Sequence, residues 1–180
     1  SIENGLNQTT ASLVSLIQTS ANLSIKNRLW AIAEKNYDIA EYYYSKHRSG
    51  LLTREQAIRT IEEIYLNQPI GISGYIYCLD SKGAVIIHPN DRVKGTNASN
   101  FDFVKQQMEI KEGYLEYDWK NPGEDHEKPK ALYMSYFEPW DWIISVSSYR
   151  EEFKELVNVH DFRDSILALS FGKTGYAYVV

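Results

Sequence analysis

The sequence predicts an α+β domain: a long N-terminal helix, then an antiparallel five-stranded sheet with flanking helices. Three observations carry this expectation. Residues 1–49 contain no proline and a single glycine, Gly5. After Pro69 the apolar period changes from three-to-four residues to two. From there to Tyr149, short aromatic and β-branched stretches alternate with Gly, Pro, Asn and Asp turn signals.

Each element follows in order. Leu6, Leu13, Leu16, Ile17, Leu29, Ala33, Tyr37, Ala40 and Tyr44 fall at helical spacing. They predict one amphipathic rod over residues 1–50, with Ser20 as a candidate break. Its first twenty-odd residues are rich in Asn, Gln, Ser and Thr and carry only a thin apolar stripe, so that part needs a partner helix or an anchor. Gly50 suits a left-handed helix C-terminus. Thr53-Arg-Glu-Gln56 fits a capping box opening a second helix, whose face is Ala57, Ile58, Ile61, Ile64 and Tyr65. Pro69 stops it.

Gly74–Leu79 and Ala84–Ile87 flank Asp80-Ser-Lys-Gly83, a hairpin signal in which Gly83 supplies positive φ. Residues 90–100 read as loop, and Phe101, Val104 and Met108 as a short helix ended by Gly113. Three strands follow at Tyr114–Trp119, Ala131–Phe137 and Trp142–Tyr149. In the first, Leu115, Tyr117 and Trp119 share one face. Helical periodicity returns at Phe153, Leu156, Val157, Phe162, Ile166 and Leu169. Gly172-x-x-Gly175-Tyr-x-Tyr178 then repeats Gly71-x-x-Gly74-Tyr-x-Tyr77 about a hundred positions on. That is the mark of a second module beginning near the end of the chain. The divisions expected are a helix over 1–50, a sheet domain over 51–150, and a linking helix with a first strand over 151–180.

Composition narrows the function. The net charge of −5 and scattered Lys and Arg argue against a nucleic-acid surface. The lone Cys78 excludes an internal disulfide or a CxxC pair and reads as a buried core thiol. No stretch approaches the ~20 apolar residues of a membrane span, and no signal-peptide pattern is present. The four histidines lack metal-ligand spacing, and no nucleophile elbow, Walker loop, zinc-protease motif or dinucleotide-binding glycine loop occurs. No cofactor, metal site or catalytic residue is assigned. Aromatic residues make up 13% of the chain, 14 of them tyrosines. That richness suits a polar small-molecule pocket and a tyrosine-heavy core equally well.

The ordered series Gly71-x-x-Gly74-Tyr-x-Tyr77, Leu79-Asp80-x-x-Gly83, His88-Pro89, Val93-Lys-Gly-Thr-Asn97, Gly113-x-x-x-Tyr117-x-Trp119, Pro129-Lys130-x-x-Tyr133 and Phe137-x-Pro-Trp140-x-Trp142 resembles Cache sensor domains. The likeness is to the Cache_2 type of prokaryotic histidine kinases and chemoreceptors, over roughly residues 37–153. It implies a PAS-like sheet, a pocket for small organic molecules and, in two-module relatives, a second Cache domain. Relatives often carry an Arg-Tyr pair just ahead of the Gly-x-x-Gly that clasps a carboxylate. Here those positions read Pro69-Ile70, which argues against an arginine-held carboxylate and leaves Lys130 as the main cation.

The ligand-binding candidates are therefore Tyr77, His88, Tyr117, Trp119, Lys130 and Tyr133. Each has a plainer reading: Lys130 as a solvated lysine, the tyrosines as sheet packing, His88 as a loop anchor. The expected function is the extracytoplasmic sensing region of a transmembrane receptor, dimeric in its parent protein and attached to the membrane by flanking segments. An intracellular PAS-type module and a small-molecule enzyme are the alternatives.

Overall fold

The computed structural model of the protein describes residues 2–156. In chain order the elements are α1 (Ile2–Arg48), α2 (Arg54–Leu66), β1 (Tyr75–Leu79), β2 (Val85–Ile87), α3 (Asp102–Ile110), β3 (Gly113–Trp119), β4 (Lys128–Phe137) and β5 (Trp142–Tyr149). Short 3-10 turns occupy Glu138–Trp140 and Arg150–Leu156. Ile25–Glu152 forms one compact unit, and Ile2–Ser24 of α1 falls outside it. The expected repeat at Gly172–Val180 lies outside the described residues.

The expected break near Ser20 is corrected, because α1 is continuous. Thr9 and Thr19 donate to the carbonyls of Gly5 and Ser15, each at 2.9 Å, so these hydroxyls bond along the helix without interrupting it. In the Ile25–Glu152 unit, α1 buries Ile25, Leu29, Ala33, Asn36 and Ala40 at three-to-four spacing. Gly50 follows with φ +77, in the left-handed region. Both bonds of the Thr53–Gln56 capping box form, at 2.8 and 3.1 Å. Helix α2 then buries Ala57, Ile61 and Tyr65.

The strands form one antiparallel sheet in the order β2-β1-β5-β4-β3. All eight residues of the central strand β5 are buried, because it is paired on both edges and covered on both faces. Side chains alternate across the sheet. One face presents Ile76, Cys78, Phe137, Trp142, Ile144 and Val146. Tyr37 and Tyr44 of α1 meet the Phe137 ring edge-on there, at 5.5 and 5.7 Å between centroids. The other face presents Tyr77, Leu79, Leu132, Met134 and Ile143, packed with Val85 and with Val104 of α3. The second face holds the pocket.

Candidate ligand pocket

A cavity of about 60 Å³ lies between the second sheet face and the segment that runs from β2 through the start of α3. Tyr75, Tyr77 and Leu79 of β1, Tyr117 and Trp119 of β3, and His88 line it from the sheet side. Val93, Ala98, Phe101, Phe103 and Val104 close it from the other. The walls are thus aromatic and aliphatic, and no lining residue is acidic.

Strand alternation explains which residues meet. Tyr117 pairs with Lys130, and Lys130 with Tyr149, so these three side chains share the pocket face. Tyr75 and Tyr77, two apart on β1, share it as well. The Phe103 ring stacks on Tyr117 at 4.2 Å and 4°, fixing one wall. Trp119 packs edge-on against Phe101 and Phe103, at 5.4 and 5.3 Å.

Polar groups behind the walls are mostly committed to one another. The Tyr77 hydroxyl donates to Gln107 Oε1 at 2.9 Å, and Gln107 Nε2 donates to Ser145 Oγ at 2.7 Å. Burial raises the pKa of Tyr77 and Tyr117 above the ordinary phenol value, so both stay neutral. His88 Nδ1 accepts from the Asn90 N–H at 2.9 Å and anchors its loop while the ring faces the cavity. Burial, and then the charge of Lys130, lower the His88 pKa, which keeps the imidazole neutral.

Among the described residues, Lys130 Nζ and Trp119 Nε1 are buried donors with no hydrogen-bond partner. Lys130 is fully buried. Its ammonium lies 4.1 Å from the centre of the Tyr75 ring and 5.3 Å from that of Tyr149. This cation–π contact only partly replaces lost hydration. Burial lowers its pKa to about 8, while Glu124 and Glu152 oppose that shift from a distance. Lys130 is not itself a lining residue; the Tyr75 ring stands between it and the cavity.

The structure therefore brings Tyr77, His88, Tyr117 and Trp119 together around the cavity, with Lys130 immediately behind Tyr75. It does not bring Tyr133 with them. Tyr133 pairs with Tyr114 and Val146 on the opposite sheet face, because residues three apart on a strand cannot face the same way as Lys130. The reading of Lys130 as a solvated lysine is corrected by its burial in the sheet. Tyr75, Phe103 and Gln107 were not expected at the site. Of these, Tyr75 was open to detection, since it stands two residues before Tyr77.

The family model described as a Cache domain, of the dCache_2 kind, matches residues 2–180. Solved structures agree in fold. A periplasmic sensor domain of a chemotaxis protein is 20% identical, with TM-score 0.63 over 71% of this chain and 96% of the other. A Cache chemosensory domain described for carboxylic acid recognition is 20% identical, with TM-score 0.64 over 73% and 97%. A methyl-accepting chemotaxis protein from Vibrio parahaemolyticus RIMD 2210633 is 20% identical, with TM-score 0.61 over 79% and 99%. A long N-terminal helix, a five-stranded antiparallel sheet with flanking helices and a match over nearly the whole length lead to one conclusion: the chain belongs to the Cache domain family.

Proposed function

We propose that this chain is the extracytoplasmic sensing region of a membrane receptor, a chemoreceptor or histidine kinase, and that its pocket takes a short carboxylate. The carrying observation is a pair of buried donors without hydrogen-bond partners, Trp119 Nε1 of a lining residue and Lys130 Nζ behind the Tyr75 ring, which a ligand reaches once that ring moves. A buried ammonium with no hydrogen-bonded counter-charge is unfavourable, and a ligand carboxylate supplies both a close charge and the acceptors. Family membership supports the sensing role, and the description of one structural neighbour supports the ligand class.

Size and charge narrow the ligand further. An engineered cavity of about 150 Å³ admits benzene, so a space of about 60 Å³ holds only about two or three non-hydrogen atoms, and even a short carboxylate requires the walls to move. An amino acid would bring an α-ammonium beside Lys130, with no acidic lining residue to receive it. Tyr77 and Tyr117 serve as walls in this reading, and His88 as a neutral wall and loop anchor. The cation takes the place of the arginine absent at Pro69-Ile70.

Signal transfer in this reading runs through α1, paired with a second copy. Trp30 and Tyr42 are exposed on α1 at 47% and 54%, leaving apolar surface for that pairing. A second Cache module beginning near Gly172 belongs to the same proposal. Residues 2–156 contain no helix long and apolar enough to cross a membrane, so attachment is assigned to flanking segments.

A thermal-shift screen of acetate, propanoate, lactate, alanine and propylamine tests the ligand class. At about 100 times its dissociation constant, a ligand bound only to the folded state adds about 2.7 kcal/mol. Propanoate or acetate is expected to raise the melting temperature, and propylamine to leave it unchanged. Stabilisation by the amine alone would refute the carboxylate reading.

A further inference from the structure

We propose that the connector Gln68–Tyr75 is the coupling element of this domain, tying the pocket wall at Tyr75 to α1 through Gln68 and to the end of β5 through Glu152. The inference goes beyond the ligand assignment, since it concerns how any change at the pocket wall reaches the rest of the unit.

Three sets of contacts converge on these eight residues. At the first end, Gln68 and the fully buried Asn36 of α1 exchange side-chain hydrogen bonds of 3.1 and 2.6 Å. The Tyr65 hydroxyl, one helical turn earlier, donates to the backbone carbonyl of Asn36. A reciprocal amide pair among apolar neighbours fixes one axial position of α1 against α2. A slide of one helical turn, about 5.4 Å, would leave buried polar groups unpaired.

In the middle, the Glu152 carboxylate accepts from Ile72 N at 3.0 Å, from Ser73 N at 3.1 Å and from the Ser73 hydroxyl. Ser148 of β5 donates to the same carboxylate at 2.7 Å. At the far end, Tyr75 opens β1 and lies against the Lys130 ammonium.

The connector is stiff. Gly74 N bonds to the Ile70 carbonyl at 2.9 Å, and a Cβ on Gly74 would meet Ile70 O at 2.4 Å and Ser147 O at 2.6 Å. Gly71 has φ +59, and a Cβ there would meet the Glu152 carboxylate at 2.4 Å. Pro69 has a fixed φ. A tight turn with no slack passes on a displacement of Tyr75 without absorbing it. The Glu152 charge also acts on Lys130 without contact, opposing the burial effect on that ammonium.

The test needs no ligand. Lys130→Met removes the charge from the Tyr75 ring and perturbs the pocket wall by itself. Hydrogen exchange followed by mass spectrometry on the full chain then reads α1 around Asn36 and β5 around Ser148. With the connector intact, Lys130→Met is expected to change exchange in both segments by about threefold or more beyond the uniform shift that its global stabilisation gives the slowest-exchanging core amides, and that excess is the response compared below. With Asn36→Leu and Gln68→Met together, which replace the amide pair by apolar groups of similar size, the α1 response is expected to vanish while the β5 response stays.

Glu152→Gln weakens the other arm and should reduce the β5 response without abolishing it, because Lys130 also pairs directly with Tyr149, and should leave the α1 response in place. It also keeps the test alive if the double variant does not fold. An α1 response that survives undiminished in the double variant would overturn the proposal, as would no α1 response to Lys130→Met with the connector intact. Neither result depends on whether a carboxylate binds, so failure here is distinct from failure of the ligand assignment.

Discussion

The two faces of the sheet are built on different chemistry. On the helix-covered face, Ile76, Cys78, Ile144, Val146, Phe137 and Trp142 pack against α1 and α2, and the polar residues buried there, Asn36, Ser135 and Ser148, are small and uncharged. Burial raises the Cys78 thiol pKa well above its ordinary value, as expected of an inert core thiol. The pocket face instead buries Ser145, Ser147, Gln107, two tyrosines and one unpaired lysine. The first face is arranged for stability. The second holds a buried charge in an unfavourable place, the observation on which the proposed binding role rests.

The largest expected effect lies on the stabilising face. Phe137→Ala should lower unfolding free energy by about 3–5 kcal/mol, because the ring contacts Tyr37, Tyr44 and Trp140. Chemical denaturation measures it, and the ligand preference of whatever folds should not change. A loss below about 1 kcal/mol would show that this face is not the main support of the fold.

The opposite sign is expected on the pocket face. Lys130→Met removes an unpaired buried donor while keeping the stem, so it should raise stability by about 1–3 kcal/mol. A destabilised variant would mean that the ammonium is well compensated in the free protein.

The pH dependence of the same residue sharpens the comparison. Its folded pKa of about 8 lies below the ordinary 10.5, so the unfolded chain binds more protons between those values. Stability should therefore rise with pH from about 8, until the tyrosines begin to titrate near 10.0 in the unfolded chain. Below pH 8 the penalty is fully in place. Denaturation at pH 7 and 9.5 should show this rise in the wild type and not in Lys130→Met. Equal profiles would place the titration elsewhere.

The smallest effect belongs to the scaffold far from the pocket. Thr53→Ala removes the capping bond to Gln56 and should lower stability by about 1 kcal/mol. Its ligand affinity should match the wild type. A change in affinity would extend the binding function beyond the pocket face.

Much of this difference was legible in the sequence, because it rests on period-two alternation. Tyr117 and Trp119 fall on one face by spacing alone, and the structure places both at the cavity. The same rule separates Lys130 from Tyr133, three residues on, although family resemblance had grouped them. Gln107 was opaque: a glutamine on a short amphipathic helix reads as solvated until its Tyr77 and Ser145 partners, 30 and 38 residues away, are placed beside it. The Asn36–Gln68 pair was hidden for the same reason, being polar residues joined across 32 positions. Helix starts and turns, by contrast, depend on neighbours in the chain. The Thr53 cap and the Gly83 turn could therefore be read directly.

The most direct test is a calorimetric titration of propanoate into the wild type and into Lys130→Met at pH 7. Measurable binding to the wild type is expected, with a loss of about tenfold or more in the variant, equivalent to about 1.4 kcal/mol. Equal affinity for both proteins, or no binding of any short carboxylate to the wild type, would contradict the carboxylate reading.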